Sequence, residues 1–185
     1  MLPRLLPTSQ VWGIDPATLN DDRVGRALDA IAPALEQIVG SVGARAIGVF
    51  GLEVARLHWD LTSISLYGAY PDPDDGFPTP RYGHPRDRRP DLKQVQTGLA
   101  VTGDGAVPVF HRAYDGGAGE VAQVIGAMTS LKKLAGRRRL LLVGDSKLVS
   151  YPNLRAMIKA KVGFIAPASK TYVPAPTFAA LDPQA

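Results

Sequence analysis

The sequence of 185 residues contains no cysteine. This absence excludes disulfides, thiolate metal sites and cysteine nucleophiles, and it is compatible with a reducing compartment. No apolar run approaches the ~20 residues that a membrane-spanning helix needs. Residues 1–7 also lack the hydrophobic stretch of a signal peptide. We therefore expect a cytoplasmic protein with no membrane partner.

Charge of neither sign dominates the composition. Lys and Arg number 21 against 17 Asp and Glu, which gives a net charge of +4. This mild basic excess permits a polyanionic partner without requiring one. The hydrophobic fraction of 45% and the charged fraction of 21% suit one ordinary folded domain rather than a disordered chain.

The pattern predicts a helical segment followed by an α/β domain. Asn20 offers N-cap chemistry, and apolar residues at helical spacing predict a helical pair over about 21–50, interrupted at Pro33. We expect strands at 57–68, 94–102, 107–113, 139–144 and 162–167, with helices at 120–134 and 151–161. A proline-rich loop occupies 70–90. The domains predicted are an irregular and helical lead (1–52), a partial catalytic domain (53–170) and an irregular tail (171–185).

This order is a three-stranded antiparallel meander followed by β-α-β, which is the ribonuclease-H-like mixed α/β arrangement. Asp60 falls within the first strand, on the same face as Thr62, and Asp145 directly follows a short apolar strand. In α/β sheets, site residues gather at the carboxyl ends of central parallel strands. The two aspartates are therefore the candidate site.

A carboxylate in apolar surroundings is costly unless it is paired, hydrogen-bonded or bound to a metal. Two aspartates on adjacent strands could share Mg²⁺, which prefers oxygen ligands, and two-metal sites support phosphodiester chemistry. The alternative is local: Asp60 accepts hydrogen bonds from Thr62 or Ser63, and Asp145 caps the following helix. The pattern alone leaves both interpretations open.

Several segments together resemble the DDE transposases of bacterial insertion sequences. Residues 58–68 (HWDLTSISLYG) resemble the first acidic box, 88–94 (RRPDLKQ) resemble an R-P-D-L-x-Q stretch, and 142–148 (LVGDSKL) resemble the second acidic box. Further similarity is found at 20–29, 105–109 and 115–120. The resemblance covers about residues 19–170, and the order of the segments is more specific than any one of them.

The resemblance implies that Asp60 and Asp145 are catalytic and bind Mg²⁺ or Mn²⁺, with double-stranded DNA as the partner and a homodimer as a further possibility. The third acid of such sites is a glutamate well downstream of the second. Here Glu36, Glu53 and Glu120 all precede Asp145. We therefore expect a truncated domain whose strand cleavage and transfer are weak or absent.

Basic residues around these boxes are the DNA-binding candidates. They are Arg86, Arg88, Arg89, Lys93, Lys147 and Arg155. The run 137–139 is equally compatible with phosphate contacts and with a solvated junction. His58 and His84 are more typical of structural histidines than of bases or ligands. The glycines at 116–119 predict a turn, since the Walker lysine of a phosphate loop is missing.

Two other functions compete with a catalytic transposase fragment. One is a non-catalytic DNA-binding or regulatory remnant that inhibits the full-length transposase and needs no third acid. The other is an Mg²⁺-dependent phosphotransferase with Asp60 as nucleophile. The sequence Asp60-Leu61-Thr62 disfavours the latter, because it lacks the second aspartate of such motifs.

Overall fold

The computed structural model of the chain describes residue 10 and residues 12–70, 76–84, 87–168 and 173–180, without the side chains of 178 and 179. The chain divides into two compact units, residues 1–41 and 42–185. The helices are α1 (Asp21–Ile31), α2 (Leu35–Phe50), α3 (Glu120–Ala135), α4 (Tyr151–Ala160) and α5 (Ala175–Ala179). The strands are β1 (Arg56–Leu66), β2 (Lys93–Thr102), β3 (Pro108–Asp115), β4 (Leu141–Val143) and β5 (Gly163–Ile165). The domain boundaries given above stay predictions.

The start of α1 and the break after it follow the predicted chemistry. The Asn20 side chain accepts a hydrogen bond from the Arg23 N–H at 2.9 Å and so caps α1. Pro33 lies in a 3₁₀ turn, Ala32–Ala34, that separates α1 from α2. A proline lacks the N–H that a continuous helix needs at that point. The apolar stripe of α1 and α2 is largely exposed, as Leu28 (57%) illustrates.

The strands form one mixed sheet in the order β3-β2-β1-β4-β5. β1 pairs antiparallel with β2, and β2 pairs antiparallel with β3. β4 is parallel to both β1 and β5. An antiparallel meander followed by β-α-β is the predicted ribonuclease-H-like class, which is confirmed. β1 is therefore the central strand, with an antiparallel neighbour on one side and a parallel neighbour on the other.

One face of β1 is buried in the core and the other is exposed. Leu57 and Trp59 are buried, whereas His58 and Asp60 are exposed, as the alternation of a strand requires. The buried core contains residues of β1, β2 and β4 together with Val124, Ala127, Met128 and Leu131 of α3. α4 is joined to α3 by the Asn153 amide, which donates to the Val121 carbonyl at 3.1 Å. These contacts place the first turn of α3 near the centre of the sheet.

Several elements differ from the prediction, among them β5 (Gly163–Ile165), which is shorter than the strand expected at 162–167. The strand expected at 139–144 is shorter, Leu141–Val143, so that Gly144 and Asp145 lie beyond its end. The tail expected to be irregular contains the short helix α5. In the part of the chain that the structure describes, no helix is long and apolar enough to cross a membrane.

Candidate functional site

The register of β1 and β4 brings Asp60 and Asp145 to the same edge of the sheet. The last aligned pair of these strands is His58 with Val143. Asp60 and Asp145 each lie two residues beyond that pair. The backbone at Gly144 stays close to β1: a Cβ added there would lie 3.2 Å from the Trp59 carbonyl oxygen. Residues at equal offsets on neighbouring parallel strands lie side by side.

A small cleft opens at this edge, and both aspartates line it. A third carboxylate, Glu120, enters the cleft from the first residue of α3. We call this the acidic cleft; it is lined by Trp59, Asp60, Leu61, Glu120, Val124, Asp145, Lys147 and Leu148. Glu120 is not recognisable as a site residue in the sequence. It starts a helix, and it reaches the two aspartates only through the packing of α3 across the sheet.

Both aspartates have local hydrogen-bond partners. The Lys147 N–H donates to Asp145 Oδ1 at 2.9 Å, which caps the 3₁₀ turn Ser146–Leu148. The Leu61 N–H donates to Asp60 Oδ1 at 2.9 Å. The capping role considered for Asp145 therefore describes part of its environment. An ionised carboxylate has about four lone-pair sites on two oxygens, so hydrogen bonding from a backbone N–H is compatible with ligation of a cation.

Lys147 brings a positive charge to the same cleft. Its Nζ lies 3.4 Å from Glu120 Oε2, and both side chains are partly exposed. The ion pair connects α3 to the turn after β4. The acidic cleft thus combines three carboxylates with one ammonium group.

The oxygen donors of the cleft suit a hard divalent cation. Mg²⁺ keeps several waters and is usually held by one or two carboxylates together with substrate phosphates. Asp60 and Asp145 meet that requirement as a pair. Within the described ranges, however, no three histidine, aspartate or glutamate side chains are grouped closely enough to hold a metal ion between them. Asp60 and Asp145 are thus the two carboxylates of the cleft that would hold a cation, and no complete three-acid site is formed among the described residues.

Two predicted DNA-binding cations are engaged within the protein. Arg89 donates to both oxygens of Asp91, at 2.8 Å from Nε and 2.6 Å from Nη2, and its guanidinium lies 5.7 Å from the Tyr67 ring centre. The hydrogen bonding that Arg89 donates to Asp91 raises the pKa of Arg89 and lowers the pKa of Asp91. Lys93 Nζ donates to the carbonyls of residues 69 and 70, both at 2.7 Å. These side chains hold the loop after β1 in place.

The remaining candidates for DNA binding lie at separate positions in the fold. Arg88 is exposed, with a backbone φ of 58°, and Arg155 is exposed on α4. Lys147 lines the acidic cleft. Arg86 lies outside the described residues. The structure therefore brings together Asp60, Asp145 and Lys147 in the acidic cleft, and Lys147 is the one predicted DNA-binding cation among the described residues that line it.

Comparisons with known proteins give structural similarities only. No protein-family model and no curated protein matches the chain. A Mos1 mariner paired end complex with Mn is similar, with 12% identity over 77% of this chain and 44% of that chain and a TM-score of 0.42. The catalytic domain of Mos1 mariner transposase is similar at 8% identity over 82% of this chain and 63% of that chain, with a TM-score of 0.40. A piggyBac transposase synaptic complex with hairpin DNA is similar at 11% identity over 85% and 34% of the two chains, with a TM-score of 0.45. The chain thus spans less than two thirds of each of these proteins.

Proposed function

We propose that this chain is a DDE-type transposase catalytic domain of a bacterial insertion sequence, acting in metal-dependent DNA strand cleavage and transfer. The observation that carries the proposal is the equal two-residue offset of Asp60 and Asp145 beyond the last β1–β4 pair. It brings the aspartates of the two acidic boxes to one cleft. In this proposal they hold Mg²⁺ or Mn²⁺, double-stranded DNA is the substrate, and the protein acts as a homodimer.

Each residue of the cleft has a distinct part in this proposal. A bound cation would activate the attacking oxygen and stabilise the leaving one. Asp60 and Asp145 would hold it from two neighbouring strands. The Lys147 ammonium lies 3.4 Å from Glu120 and can attract a DNA phosphate to the cleft. Trp59 and Leu148 are buried, so they close the inner wall against water.

Cleavage by the described residues is proposed to be weak. A two-metal clamp uses more carboxylates than the two aspartates provide, and no group of three ligands is formed within the described ranges. Glu120 lines the cleft but is paired with Lys147. Binding of DNA and of a single cation is therefore expected to exceed catalysis in strength.

A second function has support from the same geometry. The chain could be a DNA-binding or regulatory remnant that inhibits a full-length transposase without cutting DNA. The local bonds of the carboxylates favour it, since Asp145 caps its own turn and Glu120 is paired with Lys147. DNA retention that survives Asp60→Ala and Asp145→Ala would identify this second function.

The two functions are separated by a nicking assay on supercoiled plasmid with Mn²⁺, run beside calorimetric titration of Mn²⁺. We expect slow nicking by the native protein and background nicking by Asp60→Asn and Asp145→Asn. We also expect each variant to bind Mn²⁺ at least about 10-fold more weakly, because even loss of an outer-shell partner has an effect of that size.

Asp29→Asn is the matched control, since this exposed aspartate of α1 lies outside the cleft. It should nick and bind Mn²⁺ like the native protein. Native Mn²⁺ affinity in both cleft variants would contradict the metal site. Tight Mn²⁺ binding without any nicking would favour the regulatory function.

A further inference from the structure

A second charged surface lies at the end of the parallel strands opposite to the acidic cleft. A groove is formed there where α3 and α4 end and where β4 and β5 begin. We call it the basic groove and define it by its five cationic side chains, Lys132, Arg137, Arg138, Arg139 and Lys161. No carboxylate is among the described residues that line it.

The groove exists because two helices end at the same place. α3 ends at Gly136, whose φ of 64° suits a glycine, and its N–H donates to the carbonyl of Lys132. α4 ends at Lys161 in the left-handed conformation, with a φ of 55°. Residues 137–139 follow the end of α3 and precede β4. The fold therefore presents the whole arginine run beside the ends of both helices.

Cations near helix C-termini commonly stabilise the helix dipole, and this explains part of the groove. Lys132 Nζ donates to the Ala160 carbonyl near the end of α4. The three arginines also follow the end of α3, but all three are exposed, and no carboxylate within the described ranges pairs with them. Elsewhere, Arg81, Arg89 and Lys147 each pair with a carboxylate. The basic groove thus brings five cations together on one surface, three of them arginines without a carboxylate partner in the described ranges.

We propose that the basic groove binds the phosphate backbone of double-stranded DNA at a contact separate from the acidic cleft. Guanidinium groups bind phosphate oxygens in a bidentate manner and remain charged at all physiological pH values. The assignment of the polyanion to DNA rests on the proposed function, whereas the anion-binding character of the groove rests on its own charges.

The distance between the two surfaces suits two contacts on one duplex. Arg139 and Asp145 are six residues apart, which corresponds to at most roughly 20 Å at about 3.3 Å per residue. Since phosphates of one strand are spaced by about 3.4 Å along the helix axis, a duplex reaching both surfaces extends at most about six base pairs past the cleft. The groove can then hold DNA flanking the reacting phosphate.

The experiment measures duplex binding by fluorescence anisotropy in EDTA from 50 to 200 mM salt. The variant R137Q/R138Q/R139Q should lose three phosphate contacts, which lowers the magnitude of the slope of log affinity against log salt by about 2.7. Its affinity should consequently fall about 40-fold less over this salt range than that of the native protein. The variant R137K/R138K/R139K, which keeps the three charges, should retain most of the native slope.

The matched control is R23Q/R26Q/R45Q, which removes three exposed arginines outside the groove. It should keep the native slope, and all variants should keep the native melting temperature. A native slope in the glutamine variant of the groove would overturn the proposal. So would an equal loss in the control, because net charge alone would then explain binding. Displacement of DNA by poly-glutamate at equal charge concentration would overturn the choice of DNA and indicate an acidic protein partner.

This test is independent of the nicking assay because EDTA removes divalent metal. A flattened salt slope with no nicking by any protein would support the groove and contradict the proposed catalysis. Nicking that depends on Asp145, together with an unchanged salt slope in the glutamine variant, would overturn the groove and leave the proposed function intact.

Discussion

Glu120 and Lys147 hold each other across the acidic cleft, with Oε2 and Nζ 3.4 Å apart. Their side chains are 38% and 56% exposed, so the pair contributes little to folding stability, about 0.2–1 kcal/mol. Its larger effect concerns what the cleft binds. Glu120 is the third acidic residue of the lining, and Lys147 partly cancels the negative charge there.

We predict that Glu120→Gln weakens Mn²⁺ binding about 10-fold, the usual size of a lost outer-shell partner. The free energy of unfolding should change by less than about 1 kcal/mol, because the ion pair is exposed. Calorimetric titration and urea denaturation measure the two quantities. Asp29→Asn, at an exposed carboxylate of α1 outside the cleft, is the control and should alter neither. Native Mn²⁺ affinity in Glu120→Gln would show that this carboxylate takes no part in the cleft.

Asp91 links protonation to stability at a separate site. The hydrogen bond from Arg89 lowers the pKa of Asp91 below its ordinary value of 3.8. The folded protein therefore keeps this carboxylate ionised at pH values where the unfolded chain is already protonated. Its stabilising contribution is present above that ordinary value and is lost as the pH falls through the lower folded pKa.

Asp91→Asn is accordingly predicted to make the free energy of unfolding less dependent on pH in the acid range, since the variant has no carboxylate to protonate at this position. The urea midpoint, measured between about pH 2 and pH 6, should depend less on pH than in the native protein. Asp29→Asn should show the native dependence of the urea midpoint on pH. The native dependence in Asp91→Asn would mean that the ion pair with Arg89 is not maintained in solution.

Among the elements, β1 connects the hydrophobic core to the cleft. Trp59 is buried (4% exposed) and its ring lies 6.0 Å from that of Phe110. The next residue is Asp60, so the position of the indole helps to fix the position of the carboxylate. Gly98 on β2 makes room for this ring, because an added Cβ would lie only 2.0 Å from Trp59 Cη2.

Gly98→Ala is predicted to destabilise the protein by about 1–3 kcal/mol, the usual cost of overpacking. Displacement of Trp59 should also weaken Mn²⁺ binding in the fraction that remains folded. Gly126→Ala is the matched control, because no atom lies within 4 Å of an added Cβ in the exposed part of α3. It should stabilise the helix by about 0.5–1 kcal/mol. Denaturation curves compare the two; equal stability of Gly98→Ala and the native protein would contradict the packing argument.

Much of this sheet could be predicted because its strands carry their own pattern. The alternation of Leu57, Trp59 and their neighbours marks β1, and the turn Gly103-Asp104-Gly105 marks the end of β2. Asp145 could also be found from the sequence, because it directly follows the apolar run of β4. The short β4 was predicted too long, since an apolar run does not reveal how many of its residues have a strand partner.

Contacts between distant segments could not be predicted. Glu120 reaches the cleft through the packing of α3, and Arg89 is neutralised by Asp91 through a particular loop geometry. A charge near an acidic box has the same appearance in the sequence whether it is paired or open to a ligand. The sequence is therefore equally compatible with a phosphate contact and with a solvated junction at 137–139, and only the fold places this run in a groove with Lys132 and Lys161.

At the scale of the whole molecule, the fold places an acidic surface and a basic surface at opposite ends of β4. The carboxyl end of β4 leads to the acidic cleft, and its amino end leads from the basic groove. A protein with a net charge of +4 can thus present a negative site to a cation and a positive surface to phosphates. Metal binding at the cleft should be visible as a change in the stability of the entire protein, because only the folded chain brings the two aspartates together.

The thermal midpoint is therefore predicted to rise with Mn²⁺. A ligand that binds only the folded state stabilises it by about 2.7 kcal/mol at a concentration of 100 times Kd. For a chain of this size, that corresponds to a shift of about 5–10 °C. Differential scanning calorimetry with increasing Mn²⁺ should show this shift in the native protein and in the control D22N/D29N, but not in D60N/D145N. An equal shift in all three proteins would place the cation elsewhere on the molecule, because nonspecific binding to surface carboxylates does not depend on the β1–β4 register.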